Sequence, residues 1–397
     1  MALVPAVVTL LSVLLVFHFG ASWFGDSTYR RLGYVAILGH TLAGLLVLYV
    51  LPYSWDIGQF HGAGLAVLSG EPVGESTTVS SFAAFQGLLY SIFGAHPIVV
   101  SIVNGLLAVL MAVFALAIAC RLYPGLRERT LLLTMVLFSP LPFLYLSVPM
   151  RDALTTAAFF LTLSLAAVAL VDERYWFFLP IVPLFGGLYL LRPELALLSA
   201  LGIAAAGGVA IFNRVAQRRA TLPLLAGAGA GTGLVGLALF FDRFPLSRLN
   251  GALNWRSRGG AAYLDWMEYD GVLDVLIVAP TRAIYFQFAP FPLQVTSPFD
   301  LLAALTIPLL IFLLVAGYWS VRRYEVEPVV LTLLLTVYFG GIVGYGLIDS
   351  NFGTAVRHRI PFEFILIAFA APALGRVERL LRGLVEQPQT QTGGDDE

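Results

Sequence analysis

The residues that could do chemistry lie in a few short stretches of an otherwise apolar chain. Asp56 stands where an apolar run ends, in YSWDIGQFHGAGLAVLSGEPVGES. A carboxylate there could take a proton from a hydroxyl, or could simply end a spanning helix and meet water. Arg151 and Asp152 fall in SVPMRDAL, between two apolar stretches that leave only a few residues for a turn. They either pair with each other at a solvated turn or serve a site. Arg192 and Glu194 sit within LYLLRPELALL, where Pro193 bends the chain. Ionisable groups at membrane depth are costly, so by default they mark a cavity or a site. Arg357, His358 and Arg359 crowd the start of a late apolar run in IDSNFGTAVRHRIPFEFIL. Guanidinium forks match phosphate oxygens in pairs, and the plainer alternative is a set of long side chains anchored at the headgroups. Glu363 stands four residues after Arg359, the spacing of an ion pair within a helix.

The chain that must position these groups is 59% apolar and only 12% charged, against about 25% charged in a soluble domain. So little charge cannot coat a globular surface, and lipid is the expected solvent. The net charge of −1 gives no sign of a nucleic-acid partner. Cys120 is the one cysteine, which excludes an internal disulfide and a cysteine-based metal site. The first apolar stretch lacks the basic start of a cleavable signal and reads as a retained helix.

A spanning helix needs about 20 mostly apolar residues. That rule predicts an all-α, polytopic helical bundle of about eleven spans: 3–24, 33–52, 97–120, 130–148, 153–171, 176–191, 194–212, 221–241, 301–319, 328–347 and 360–375. Asp56, Gln59 and Ala63 share one side of a predicted helix, with Ile57, Phe60, Gly64 and Val67 on another. This pattern predicts an interfacial helix in the first long loop. Residues 82–94 are too short to span and read as interfacial or re-entrant. Residues 272–295 are broken by Pro280, Pro290 and Pro292 and read as loop.

Arginine placement sets the expected orientation. Arg30 and Arg31, then Arg121, Arg127 and Arg129, then Arg174, Arg214, Arg218 and Arg219, Arg322 and Arg323, and Arg376, Arg379 and Arg382 fall in alternate loops. Those loops are predicted to be cytoplasmic in a multi-pass protein of the cell membrane, with the N-terminus outside and the C-terminus inside. Loops 53–96, 242–300 and 348–359 then face outward, and Arg357 and Arg359 break the bias. Residues 1–380 form one transmembrane domain, followed by a polar, disordered tail at 381–397. In loop 242–300, Trp255, Tyr263, Trp266 and Tyr269 suit sugar stacking or an interfacial belt. There is no P-loop and no HExxH, so the energy for any reaction must arrive with the substrate. A GxGxxG match at Gly231, Gly233 and Gly236 lies inside an apolar run, where close helix packing explains it better.

WDIGQFHGAGLAVLSG, followed by FAAFQGLLYSIFGAHPIVVSIVNGLLAVL, resembles the first outer loop and following span of GT-C superfamily glycosyltransferases, which include protein O-mannosyltransferases and aminoarabinose transferases. Asp56, His61, Gly94, Pro97 and Asn104 stand at the pattern's positions, Asp152 matches its next acidic turn, and RHRIPFEFILIAFAAPAL resembles its arginine-containing late span. The resemblance covers about a third of the chain. It departs from the pattern where one extra span precedes the Asp56 loop and Ile57 replaces a second acid. It implies a transferase that moves a sugar from a polyprenyl or dolichyl phosphate donor to a glycan, lipid or protein acceptor on the outer face. Asp56 and Asp152 would be catalytic, with a divalent metal at the two carboxylates compatible with that chemistry. Arg151, Arg192, Arg357 and Arg359, with His61 and His358, would bind the phosphate or substrate. The RDAL turn and the arginine-rich late loop also resemble O-antigen polymerases. A lipid or solute transporter is a third reading, which the apolar span interiors disfavour.

Overall fold

The computed structural model describes residues 2–24, 26–51, 56–74, 76–216, 245–257 and 261–385, with Gly227, Gly231 and Gly236. In chain order its helices are α1 (Leu3–Phe24), α2 (Ser27–Tyr49), α3 (Ile57–Ser69), α4 (Thr77–Phe93), α5 (Pro97–Leu122), α6 (Thr130–Phe138), α7 (Pro140–Ser147), α8 (Asp152–Val171), α9 (Phe178–Leu191) and α10 (Pro193–Ala216). After the next stretch come α11 (Leu246–Arg256), α12 (Val272–Phe288), α13 (Pro298–Arg323), α14 (Pro328–Ile348), α15 (Phe352–His358), α16 (Ile360–Phe369) and α17 (Ala371–Val385). Among the described residues the only strand-like pairing is an isolated bridge between Ala262 and Asn351. The described residues are thus all-helical, and their apolar helices mark a multi-pass membrane protein.

Seven helices, α1, α2, α5, α8, α10, α13 and α14, are long and apolar enough to cross a membrane. Two bent pairs, α6 with α7 at 50° and α16 with α17 at 66°, raise the number to nine if each is one span. Against the expected eleven, seven to nine are thus found among the described residues. The expected span 176–191 is short, because α9 begins only after a 3-10 turn at Tyr175–Phe177. The expected span 221–241, with its GxGxxG, lies largely outside the described residues. Residues 272–295 are not wholly loop, since α12 runs through Pro280. A proline inside a helix costs about 3 kcal/mol. Here burial of Val275 and Phe286 against α14 opposes that cost, and Phe286 stacks on Tyr345 at 5.7 Å. Gly346 permits this approach, for a Cβ there would lie 2.9 Å from the Arg282 carbonyl oxygen. Helix α17 continues to Val385, so the first residues of the expected tail are helical.

Local signals set several helix starts. Asp26 accepts from the backbone N–H groups of Thr28 (2.8 Å) and Tyr29 (3.1 Å) and so caps α2. Proline opens α5, α7, α13, α14 and α16, where the missing N–H costs nothing. Helices α5 and α14 are the most enclosed spans and α1 the most exposed, with Leu3, Leu11 and Leu15 turned outward where lipid would lie. Helices α3 and α4 form a hairpin closed by Phe60 against Phe82, with ring centroids 5.1 Å apart. A small core joins that hairpin to Val148, Met150 and Leu191. The hairpin is thereby fixed beside the α7–α8 turn and the α9–α10 corner.

Candidate functional site

The elements converge on one face of the bundle, where α2, α7, α9 and α14 end and α8, α10 and α16 begin. Asp152 is the first residue of α8 and is only 1% exposed. The Asn104 amide on α5 holds the preceding turn by donating to the Val148 carbonyl at 2.8 Å. Across the site, Pro193 forbids a helical conformation at Arg192, which adopts φ −157° and ψ 83°. The break between α9 and α10 lets Arg192 Nη2 donate to Asp152 Oδ1 at 2.7 Å. Arg151 turns away from its neighbour and donates to the Leu191 carbonyl at 3.1 Å. Arg151 and Asp152 therefore do not form the solvated pair allowed by their adjacency.

Arg357 on α15 is the hub. Its Nη1 lies 3.3 Å from Asp56 Oδ2, and its Nε lies 3.3 Å from Asp152 Oδ2. The second contact is electrostatic, without hydrogen-bond geometry, and leaves both atoms as unfilled polar groups. Asp56 is the exposed end of this chain of charges, with 54% of its side chain open, and Asp152 is the buried end. The cation between the two carboxylates is thus a guanidinium. Among the described residues no group of three or more His, Cys, Asp or Glu side chains could hold a metal ion. Two carboxylates separated by Arg357 do not fit a shared divalent ion, which the resemblance had left open.

A third carboxylate completes the cluster. Asp349 follows the last residue of α14 and is fully buried. Its Oδ2 accepts from His358 Nδ1 at 2.7 Å, and Arg256 at the end of α11 pairs with Oδ1. Burial alone would raise the Asp349 carboxyl, but the facing His358, Arg256 and Arg192 hold it below the usual carboxylate range. Burial pushes the His358 imidazole down to about 4, against the pull of Asp349, and Arg192 and Arg256 add to the depression. His358 is therefore neutral near pH 7, with its proton on Nδ1 facing Asp349.

Two of the expected site residues are elsewhere. Arg359 is 1% exposed, and its Nη1 donates to the carbonyls of Gln287 (3.2 Å) and Ala289 (2.8 Å). It does not pair with Glu363, whose Oε1 accepts the Ser139 hydroxyl at 2.5 Å. Helix α12 ends at Ala289, and polar groups of irregular backbone inside a membrane protein must be satisfied by the protein itself, which is what Arg359 does there. His61 bonds the Tyr90 hydroxyl at 2.8 Å and holds the α3–α4 hairpin. Asp56, Arg151, Asp152, Arg192, Arg357 and His358 do come together. Sequence reasoning missed Asp349 and Arg256. A carboxylate directly after a span, in the same short loop as the arginines, was the available signal for Asp349, whereas Arg256 had none.

Of the aromatics singled out in 242–300, Trp255 and Trp266 are exposed and Tyr263 and Tyr269 are buried. No protein-family model, curated protein or solved structure gives a match to this chain. The functional reading therefore rests on the site.

Proposed function

We propose that this protein is a membrane glycosyltransferase of GT-C type, taking a sugar from a polyprenyl or dolichyl phosphate donor to an acceptor at the outer face. The observation that carries this reading is Arg357 suspended between Asp56 and Asp152. It is a guanidinium at the rim, held by an exposed carboxylate that an incoming phosphate can replace. Arg151 and Arg192 flank it, and Arg151 has no carboxylate partner among the described residues. The acceptor oxygen attacks the anomeric carbon, the bond from that carbon to the phosphate oxygen breaks, and the phosphate leaves with the electron pair. Arg357 and Arg151 offset the charge that develops on it, a task suited to preorganised donors in a dry site. Arg192 keeps the buried Asp152 paired while this happens.

The same surplus of guanidinium groups also suits a pyrophosphate, as an O-antigen-type polymerase or ligase of lipid-linked oligosaccharides would require. The test is analysis of lipid-linked glycans in cells with and without the gene. Loss of the gene should leave a donor lipid unconsumed. Arg357→Lys should fail to restore its consumption, because an ammonium keeps the charge and loses the planar fork. Accumulation of a single-sugar lipid favours the transferase, and accumulation of a lipid-linked oligosaccharide favours the polymerase. Unchanged glycans in cells without the gene would overturn both.

A further inference from the structure

The acceptor's proton needs an oriented base. Asp152 is engaged by Arg192 and Arg357, and Asp56, once a phosphate replaces it on Arg357, is held by no other described side chain. His358 differs. Its Nδ1 side is committed to Asp349, and no described residue bonds its Nε2. Its side chain keeps 8% exposure, while Asp349 is completely enclosed. The carboxylate does not depend on the histidine alone, since Arg256 holds its other oxygen and also donates to the Ile348 carbonyl at 3.1 Å. The Tyr345 ring stands 4.9 Å from the imidazole and limits its rotation. His358 also adjoins Arg357 in sequence, one helical step away on α15.

We propose that His358 is the group that accepts the acceptor hydroxyl's proton, and that Asp349 is the positioning residue that fixes its tautomer. The inference rests on the transferase reading above. In the step, the acceptor O–H proton passes to Nε2 while its oxygen bonds the anomeric carbon, and the donor phosphate departs with the electrons of the broken bond. The imidazolium so formed has Nδ1–H against Asp349, which stabilises it at the moment it appears. This is the division of labour by which a buried carboxylate supports a histidine base. The groups facing the imidazole are Asp349, Arg256, Arg192 and Tyr345, with the buried Asp152 near enough to interact with it. Burial, with the two arginines adding to it, keeps the resting ring neutral, so Nε2 carries no proton near neutral pH.

The experiment uses membrane vesicles from a strain lacking the gene, each carrying one variant of the full chain. They are supplied with the lipid fraction of that same strain as donor, and vesicle content of the protein is measured alongside. His358→Asn keeps a side-chain N–H for Asp349 and removes Nε2. It should lower transfer by about 10²-fold or more, the usual scale for a lost general base. His358→Ala should recover part of its transfer when imidazole is added to the vesicles, which no structural role would produce. Asp56→Asn should lower transfer by less than His358→Asn does. Asp349→Asn should move the pH profile. If wild-type vesicles transfer nothing from that lipid fraction, the transferase reading falls and this proposal with it. If wild type transfers, and His358→Asn matches it at equal protein content, only the assignment of His358 is overturned.

Discussion

The two faces of this bundle use the same ion-pair chemistry at different depths. On the face opposite the site, Arg214 pairs with Glu173 at 58% and 66% side-chain exposure, and Arg121 pairs with Asp172 at 26% and 32%. Arg379 meets Glu128, and Arg382 meets Glu378, around an open cleft of about 410 Å³ that also borders Asp26, Arg127 and Arg129. Glu378 has a structural task, since it accepts from the Leu131 N–H at 3.1 Å and so caps α6 from α17. On the site face, Arg192 and Asp152 are 3% and 1% exposed. An exposed pair gains little and costs little. A buried pair pays desolvation that its Coulomb attraction often fails to exceed, so stability is a weak reason to keep it. The difference teaches that the site face carries charge at a cost, whereas the opposite face wears charge where water or headgroups already solvate it.

The contrast can be broken most sharply at Asp152. Replacing it with alanine strands Arg192 and loosens Arg357, both held by one carboxylate. Breaking a buried pair typically costs about 3–5 kcal/mol. Asp152→Ala should therefore show the largest fall in membrane yield and in detergent melting temperature, and a wild-type melting curve would place these charges in a far wetter setting than their burial implies. Arg359 offers a second test, within the site face itself. Both carbonyls are served by the single Nη1, so Arg359→Met, which leaves them unfilled, should lose about 1–3 kcal/mol, and Arg359→Lys, which keeps one donor nitrogen, should lose less. Transfer per folded molecule should change far less in Arg359→Lys than in Arg357→Lys. Equal loss of transfer in the two lysine variants would return Arg359 to the phosphate site.

Acid gives a graded test. The folded pKa of His358 lies below its ordinary 6.5, so the unfolded chain binds more protons between about 6.5 and about 4. Stability from this group is fully present above 6.5 and is lost as pH falls through that window, by about 1 kcal/mol per pH unit. Asp349, held below the carboxylate range, extends the loss to lower pH. Melting temperatures in detergent from pH 7 to pH 5 should fall for wild type and fall less for His358→Asn. A slope unchanged by the substitution would mean that another group governs acid sensitivity. The smallest effect belongs to the opposite face. Arg121→Ala should change stability by less than about 1 kcal/mol, and a larger loss would erase the distinction between the faces.

The chain's solvent was legible in its sequence. Runs of about 20 apolar residues have few other uses, and α1, α2, α5, α8, α10, α13 and α14 fall within the expected set. Spans near breaks were less legible. A bend such as that at Ser139 leaves composition unchanged, and α12 forms around Pro280 only because α14 covers it. Asp152, Arg192 and Arg357 stood out because an ionisable residue in apolar sequence is a local anomaly, visible without neighbours. Their partners were not visible. Spacing suggested Glu363 for Arg359 and Arg151 for Asp152, yet Glu363 took Ser139 and Asp152 took Arg192 and Arg357. The sequence by itself determined which groups would be expensive to bury and which helix ends would carry them. Only the tertiary structure decided which charge answers which, because a side chain a few ångströms long pairs with whatever helix end is packed beside it, and that packing is set by apolar surfaces far along the chain.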